Sequence, residues 1–372
     1  METENPAAGE DSKQSYTQVG KLGEFGLIKR LTEKIVLKQP STIKGVGDDA
    51  AVIEPGKDEV ILLSTDMLAE GVHFDLTYTP LRHLGYKAVS VNVSDICAMN
   101  GTPTQLTVSI GISNQFSVEA LEELYKGMRY ACEEYGVDLV GGDTISSNSG
   151  MVISISILGK AKKNEVTYRN TAQVGDIVCV SGDLGAAYSG LLILNRGKKM
   201  FANDPEAKPD LTGYDYVLKR QLMPQARVDI IALFKTHTII PTAMIDISDG
   251  LSSEVHHLCD PLTPRGGTGG IGCIIDEERI PINENVKKVA EEFSKGDTSG
   301  KNSAMSFALS GGEDYELLFT LSKKDFEKLK SSDKITRIGE IVTPAQGVSF
   351  RDKTGKIHPL SAKGWDSFLG EN

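Results

Sequence analysis

The chain has 372 residues, with 51 Asp+Glu against 40 Lys+Arg, a formal net charge of −11. That acid excess argues against a sequence-independent nucleic-acid binder, which holds phosphates with surplus Lys and Arg, and against a polybasic membrane-surface protein. The composition, 40% apolar and 24% charged, is that of a globular chain; no apolar run approaches the ~18 residues of a membrane span, and the length suggests two domains, since one core stops growing at about 250–300 residues.

In chain order, residues 1–20 are polar and acidic, lack the charged start and apolar core of a signal peptide, and read as a disordered tail. Glu59–Ser64 is a short buried-strand run. Arg82–Met99 reads as a helix despite its valines. Thr104–Ile112 and Met151–Leu158 alternate apolar residues with period two, as strands do. Between them, Val118–Tyr135 spaces Leu121, Leu124, Met128, Ala131 and Tyr135 by three and four, the stripe of an amphipathic helix. Lys160–Gly175 is polar and basic and reads as a connection. Beyond it, Asp176–Ser181, Ala243–Ile247, Gly272–Asp276 and Tyr315–Thr320 are strand candidates and Gly185–Asn195 a helix. Three loops are expected, at Arg196–Gly213, Asp260–Gly272 and Ser294–Ala304. The pattern predicts an α+β chain, with an N-terminal domain over 21–160 and a C-terminal one over 170–372. Its cysteines, Cys97, Cys132, Cys179, Cys259 and Cys273, are odd in number and lack C-x-x-C spacing. They read as free thiols in a reducing cytoplasm.

There is no Walker-type phosphate loop, kinase H-R-D or D-F-G set, or H-E-x-x-H. Gly267–Gly272 matches G-x-G-x-x-G, but it follows a proline-bearing stretch and precedes a strand, so it reads as a glycine loop. The distinctive signal is a recurrence of acids beside Gly, Ser or Thr, each near the end of a strand or helix signal. They are Gly45-Val-Gly-Asp-Asp49, Ser64-Thr65-Asp66, Asn92-Val-Ser-Asp95, Gly141-Gly142-Asp143-Thr144, Asp246-Ile-Ser248-Asp249-Gly250 and Ser310-Gly-Gly-Glu313-Asp314. Any one alone is usually a turn or a cap. Gathered together, like charges at ~4 Å repel by about 4 kcal/mol per pair at an effective dielectric of 20, so such a cluster calls for cations. The pattern points to a multi-metal polyphosphate site at a domain interface.

In this order, GEFGLI (Gly23–Ile28), GVGDDAAV, STD, GVHF (Gly71–Phe74), AVSVNVSDICAMNG, GGDT, IDISDGLSS and LSGGEDYELLF resemble the thiamine-monophosphate kinase family. That family shares a superfamily with aminoimidazole ribonucleotide synthetase, selenophosphate synthetase and a hydrogenase maturation factor. The resemblance spans about Gly23 to Phe368. It implies an aminoimidazole-ribonucleotide-synthetase-like fold whose N-terminal domain pairs with its twin in a homodimer and whose C-terminal α/β domain covers the cleft. It implies ATP-dependent phosphorylation of thiamine monophosphate, with Mg²⁺ held by Asp49, Ser64, Thr65, Asp66, Asp95, Asp143, Asp246 and Asp249. Gly142, Asp143, Arg169 and Ser248 would contact ATP; His73, Glu313 and Trp365 would contact the thiamine phosphate. Blander readings stand beside these: Arg169 as a solvated linker residue, His73 as a packed histidine, Trp365 as a hydrophobic anchor, Glu313 as the start of a strand. The rival functions are another ATP-using enzyme of the superfamily and a non-enzymatic cation-binding protein.

Overall fold

The computed structural model describes residues 30–44, 52–53, 58–204, 206, 208–259, 270–295 and 302–361. The expected tail, the GEFGLI motif, Asp49, Trp365 and residues 260–269 lie outside them. A short antiparallel pair, β1 (Thr42–Lys44) and β2 (Val52–Ile53), precedes two larger sheets. The first is built from β3 (Glu59–Ala69), β4 (Thr102–Ile112), β5 (Asp138–Ser146) and β6 (Val152–Lys162), in the order β3-β6-β4-β5. Only β4 and β5 run parallel, because a helix carries the chain back between them.

Two helices cover one face of this sheet, α1 (Leu81–Ala98) and α2 (Val118–Tyr135). Local chemistry sets the ends of α2. The Ser117 hydroxyl accepts the Ala120 N–H at 3.2 Å, and Gly136 closes the helix with a left-handed φ of 68°. Helix α1 is different: its sequence has no polar face, and Val89, Val91 and Val93 are all buried, as are Lys87, Ser90, Asn92 and Ser94. It packs against the first sheet, α2 and the second sheet at once.

The second sheet has seven strands, β7 (Ile177–Ser181), β8 (Ala243–Asp246), β9 (Gly272–Asp276), β10 (Leu317–Leu321), β11 (Ile335–Val342), β12 (Val348–Arg351) and β13 (Ile357–Pro359), ordered β13-β12-β9-β11-β7-β10-β8. Both its faces are apolar. Ile177 and Cys179 join a core continuous with α1, α2 and the first sheet, whereas Val178 and Val180 face a second core that includes α6 (Leu251–Cys259). The remaining helices are α3 (Ala186–Asn203), α4 (Asp215–Leu222), α5 (Val228–His237), α7 (Glu284–Phe293), α8 (Ala304–Ser310) and α9 (Lys323–Leu329).

Several expectations shift. The loop expected from Arg196 is helical as far as Asn203. Strand β10 starts at Leu317, because Glu313 and Tyr315 adopt left-handed φ values of 58° and 52° that no strand contains. Asp66 and Asp143 lie inside β3 and β5 rather than at their ends, whereas Asp95 sits in the last turn of α1 as expected. All five cysteines are buried and free.

Helices α1 and α2 meet through a reciprocal pair of glycines. A Cβ on Gly85 would lie 1.9 Å from the Leu124 carbonyl oxygen, and one on Gly127 would lie 1.8 Å from that of Arg82. Both obstacles are backbone, so the helices would have to separate. Gly→Ala normally favours a helix by about 1 kcal/mol. Gly127→Ala is expected instead to lower unfolding free energy by about 1–3 kcal/mol through overpacking, measured by urea denaturation. An unchanged midpoint would show that this close crossing does not hold in solution.

Candidate active site

Three carboxylates converge from three elements. Asp66 comes from β3, Asp95 from the last turn of α1 and Asp246 from the end of β8 in the second sheet. The Ser64 hydroxyl donates to Asp95 at 2.5 Å, the Ser94 hydroxyl donates to Asp246 at 2.6 Å, and the Asp66 N–H donates to the Asn92 side-chain oxygen at 3.1 Å. Helix α1 thus ties both sheets to the site. Thr65 turns away and donates to the Ile155 carbonyl at 2.9 Å.

The electrostatics record what this arrangement costs. Burial, with repulsion from Asp95, lifts Asp66 from 3.8 to about 6. Burial lifts Asp246 to about 7, with Asp95 and Asp66 adding to the rise and the Ser94 hydroxyl opposing it. Asp95 is also raised by burial, against the pull of the Ser64 hydroxyl and of the Arg169 charge. Arg169 itself is exposed, and its field reaches the cluster. Beside it, the Asp249 N–H donates to Glu254 at 3.0 Å. Burial raises the Glu254 carboxyl to about 8, and its second oxygen, Oε2, is buried with no partner.

A second group adjoins the first. The Lys87 ammonium, 2% exposed, lies 2.8 Å from Glu313 Oε1, and the Gln221 amide donates to Glu313 Oε2 at 2.7 Å. His73 Nδ1 accepts the Ala69 N–H at 3.1 Å, so the ring hydrogen of the neutral form sits on Nε2. Burial lowers the His73 pKa; Glu313 pulls it up and Lys87 pushes it down. Tyr315 joins the two groups. Burial pushes its phenol well up, and Glu313, Asp66, Asp246 and Asp95 all reinforce that rise.

The chain around Glu313 is strained. Gly312, Glu313 and Tyr315 all have positive φ, which costs on the order of 1–3 kcal/mol for each non-glycine residue. The surroundings hold it in place. Glu313 N–H donates to the Ser248 carbonyl at 2.6 Å and Tyr315 N–H to the Ile247 carbonyl at 2.9 Å. Asp314 accepts the Gly185 and Ala187 N–H groups at the start of α3, and Glu316 is gripped by Arg220 at 2.7 Å and by Arg227. Ser248 therefore meets the loop through its carbonyl.

Gly142 and Asp143 stay apart from this cluster. In register, Asp66 pairs with Ile155, Ile155 with Val108 and Val108 with Gly142, so β5 lies three strand spacings from Asp66, about 14 Å. Gly142 fits because a Cβ there would lie 1.9 Å from the Val108 carbonyl oxygen. Asp143 alternates to the sheet's open face with Ser109 and is exposed. Lys87, Gln221, Glu254 and Tyr315 were not singled out from the sequence; for Lys87 the available signal was a lone cation in an apolar helical run.

The four-stranded sheet and its helices match the family model described as AIR synthase related protein, N-terminal domain, over residues 47–161. Over nearly the whole chain, the thiamine-monophosphate kinase of Bacillus subtilis is 30% identical, covering 93% of this chain and 100% of that one. That of Aquifex aeolicus is 34% identical, covering 93% and 98%. The chain belongs to the thiamine-monophosphate kinase family. A solved structure described as AaThiL complexed with AMPPCP and TMP superposes with a TM-score of 0.67 at 32% identity, covering 94% of this chain and 98% of that one. Family membership sets aside the two rival functions.

The donor set fits Mg²⁺. Asp66, Asp95 and Asp246 are hard oxygen ligands whose pKa values are raised first by burial and, for Asp66 and Asp246, by neighbouring carboxylates, so a bound cation would favour their charged forms. Among the described residues no three His, Cys, Asp or Glu side chains form a metal cage; Mg²⁺ needs only one or two carboxylates with waters and phosphates. The raised carboxyls also set a pH dependence. Below 3.8 both the folded and the unfolded chain hold these protons, but above it only the folded chain keeps them, up to about 6 at Asp66 and about 7 at Asp246. The stability they contribute is present at low pH and lost as pH passes through the folded values. In chelator, the melting temperature is expected to fall between about pH 5 and pH 8, and added Mg²⁺ to raise it more at the higher pH. Equal Mg²⁺ shifts at both pH values, by calorimetry, would refute a cation held by these carboxylates.

Proposed function

We propose that the chain transfers the γ-phosphoryl group of ATP to the phosphate of thiamine monophosphate, releasing thiamine diphosphate and ADP. The observation that carries this reading is the convergence of Asp66, Asp95 and Asp246 beside the Glu313–His73–Lys87 group, in a chain of this family.

The acceptor is a phosphate oxygen. With a second pKa near ~6 it is already ionised at neutral pH, so no general base is needed. What remains is positioning and charge neutralisation along an in-line path. Mg²⁺ would be held by Asp49, Asp66, Asp95, Asp143, Asp246 and Asp249, with Ser64 and Thr65 contributing through backbone carbonyls, their hydroxyls being engaged by Asp95 and the Ile155 carbonyl, and would offset the charge of the facing phosphates. Arg169 and Ser248, with Gly142 and Asp143, would border the nucleotide. Glu313, His73 and Trp365 would take the thiamine end; the Nε2–H of neutral His73 is a donor suited to a phosphate oxygen. The catalytic cleft lies between an N-terminal domain over 21–160 and a C-terminal one over 170–372. Free thiols and ATP use favour a cytoplasmic setting.

The working unit is a homodimer. The open face of the first sheet exposes Ile61, Leu63 and Met67 on β3 and Ile145 on β5, with Leu63 72% exposed. Such a stripe calls for a partner. Asp143 shares that face, so a second copy would give it a route to a site.

A coupled ADP-release assay offering thiamine monophosphate, thiamine and formylglycinamidine ribonucleotide is expected to respond to thiamine monophosphate alone. Activity on thiamine but not its phosphate would sink the reading. Asp95→Asn and Asp143→Asn should each lower kcat by about a hundredfold or more while retaining the wild-type circular dichroism; near-normal turnover at saturating Mg²⁺ would remove that residue from the metal set. Leu63→Glu should convert the protein to a monomer by sedimentation velocity, and an intact dimer would place the interface elsewhere.

A further inference from the structure

We propose that Lys87 and Gln221 are positioning residues that hold the Glu313 carboxylate in one orientation for the amino group of the substrate's pyrimidine, and so set specificity for it; this rests on Glu313 binding the thiamine end. The hold is two-pronged: Lys87 Nζ lies 2.8 Å from Oε1 and Gln221 Nε2 lies 2.7 Å from Oε2. The prongs come from two different helices, Lys87 from α1 under the first sheet and Gln221 from α4, which packs on α3. Both holders are buried, at 2% and 5% exposure, while the Glu313 side chain keeps 25%. A carboxylate accepts about four hydrogen bonds. With one site on each oxygen taken, one remains on each, on a side chain that keeps part of its surface exposed. Either of them suits the exocyclic amino N–H of an aminopyrimidine, whose ring nitrogens can only accept.

The backbone tells the same story. Glu313 sits at φ 58° between Gly312 at 69° and a buried Asp314, a conformation a freely chosen loop would avoid. Lys87 also lies 3.5 Å from the His73 carbonyl, so the same ammonium links the two segments that border this end of the site. A glutamate on a flexible loop would have to order three side-chain torsions on binding; here that ordering is done in advance.

The test compares thiamine monophosphate with oxythiamine monophosphate, in which an oxo group replaces the pyrimidine amine. Lys87→Met is expected to raise KM for thiamine monophosphate about tenfold or more, to move KM for ATP by less than about twofold, and to erase most of the preference for the amino substrate, because a charge-assisted hold on the carboxylate is lost. Gln221→Leu should act in the same direction, and Lys87→Arg, which keeps the charge, should retain the preference. If Lys87→Met does not fold, Gln221→Leu and Lys87→Arg decide the matter. Preference retained in Lys87→Met or, failing it, in Gln221→Leu, while Glu313→Gln loses it, overturns the proposal and leaves Glu313 as a substrate residue. Preference retained in Glu313→Gln overturns both. Equal rises in both KM values would reduce Lys87 to a structural role and overturn the proposal.

Discussion

A helix buried on all sides cannot carry a polar side chain without a partner, since an unpaired buried polar group costs about 1–3 kcal/mol and an unpaired charge more. From Lys87 to its end, helix α1 is nearly such a helix, and that stretch carries five. Lys87 meets Glu313, Ser90 meets the Tyr135 hydroxyl at 3.0 Å, Asn92 receives the Asp66 N–H, Ser94 donates to Asp246, and Asp95 accepts from Ser64. Three of those partners lie in the first sheet or α2, and two belong to the second sheet and its loops. Satisfying one helix therefore fixes how both sheets stand around it, and the site is the place where they meet.

The same constraint explains why the helix sits so close to its neighbour. The Gly85–Gly127 contact lets α1 and α2 approach backbone to backbone. Larger residues would lift α1 away from the sheet and draw Asp95 and Lys87 out of register with Ser64 and Glu313. The second sheet answers with a rigid loop. Asp314 caps α3, Glu316 is clamped by two arginines, and between them Glu313 and Tyr315 are kept in left-handed conformations. Strain at 312–315 is thus set against a buried ionic network whose disruption would leave a charge unpaired.

How much of this the sequence reveals depends on whether the signal is local. The period of Val118–Tyr135 and the alternation of Met151–Leu158 are local, and both elements appear as expected. The recurrence of Asp beside Gly or Ser pointed to Asp66, Asp95 and Asp246 as one group because each motif is short and complete. Helix α3 outran its expected end because Arg196 interacts with Glu292 of α7 and stacks near Tyr214 and Phe293, a tertiary reason to stay helical. Lys87 and Gln221 gave little local signal, because their partner is remote in sequence. Asp143 shows the other limit. Its motif resembles the rest, but which face a strand residue takes is decided by register, and register puts it opposite to Asp66.

The acid excess takes on a different meaning in this light. The formal −11 counts every carboxyl as ionised. Asp246 at about 7 and Glu254 at about 8 retain protons near neutrality, and Asp66 at about 6 gives up its own only just below it. A cation arriving at Asp66 and Asp246 would favour their charged forms and expel those protons, so metal affinity and pH are coupled here through the same groups that carry the repulsion. Much of the surplus charge is ordinary surface. The part that matters is buried, is kept from full ionisation by burial and by its neighbours, and is oriented by hydroxyls from β3 and α1 before any cation arrives. An acidic chain would receive polyanionic phosphates on those terms, because the charge that repels them would also recruit the ions to offset it.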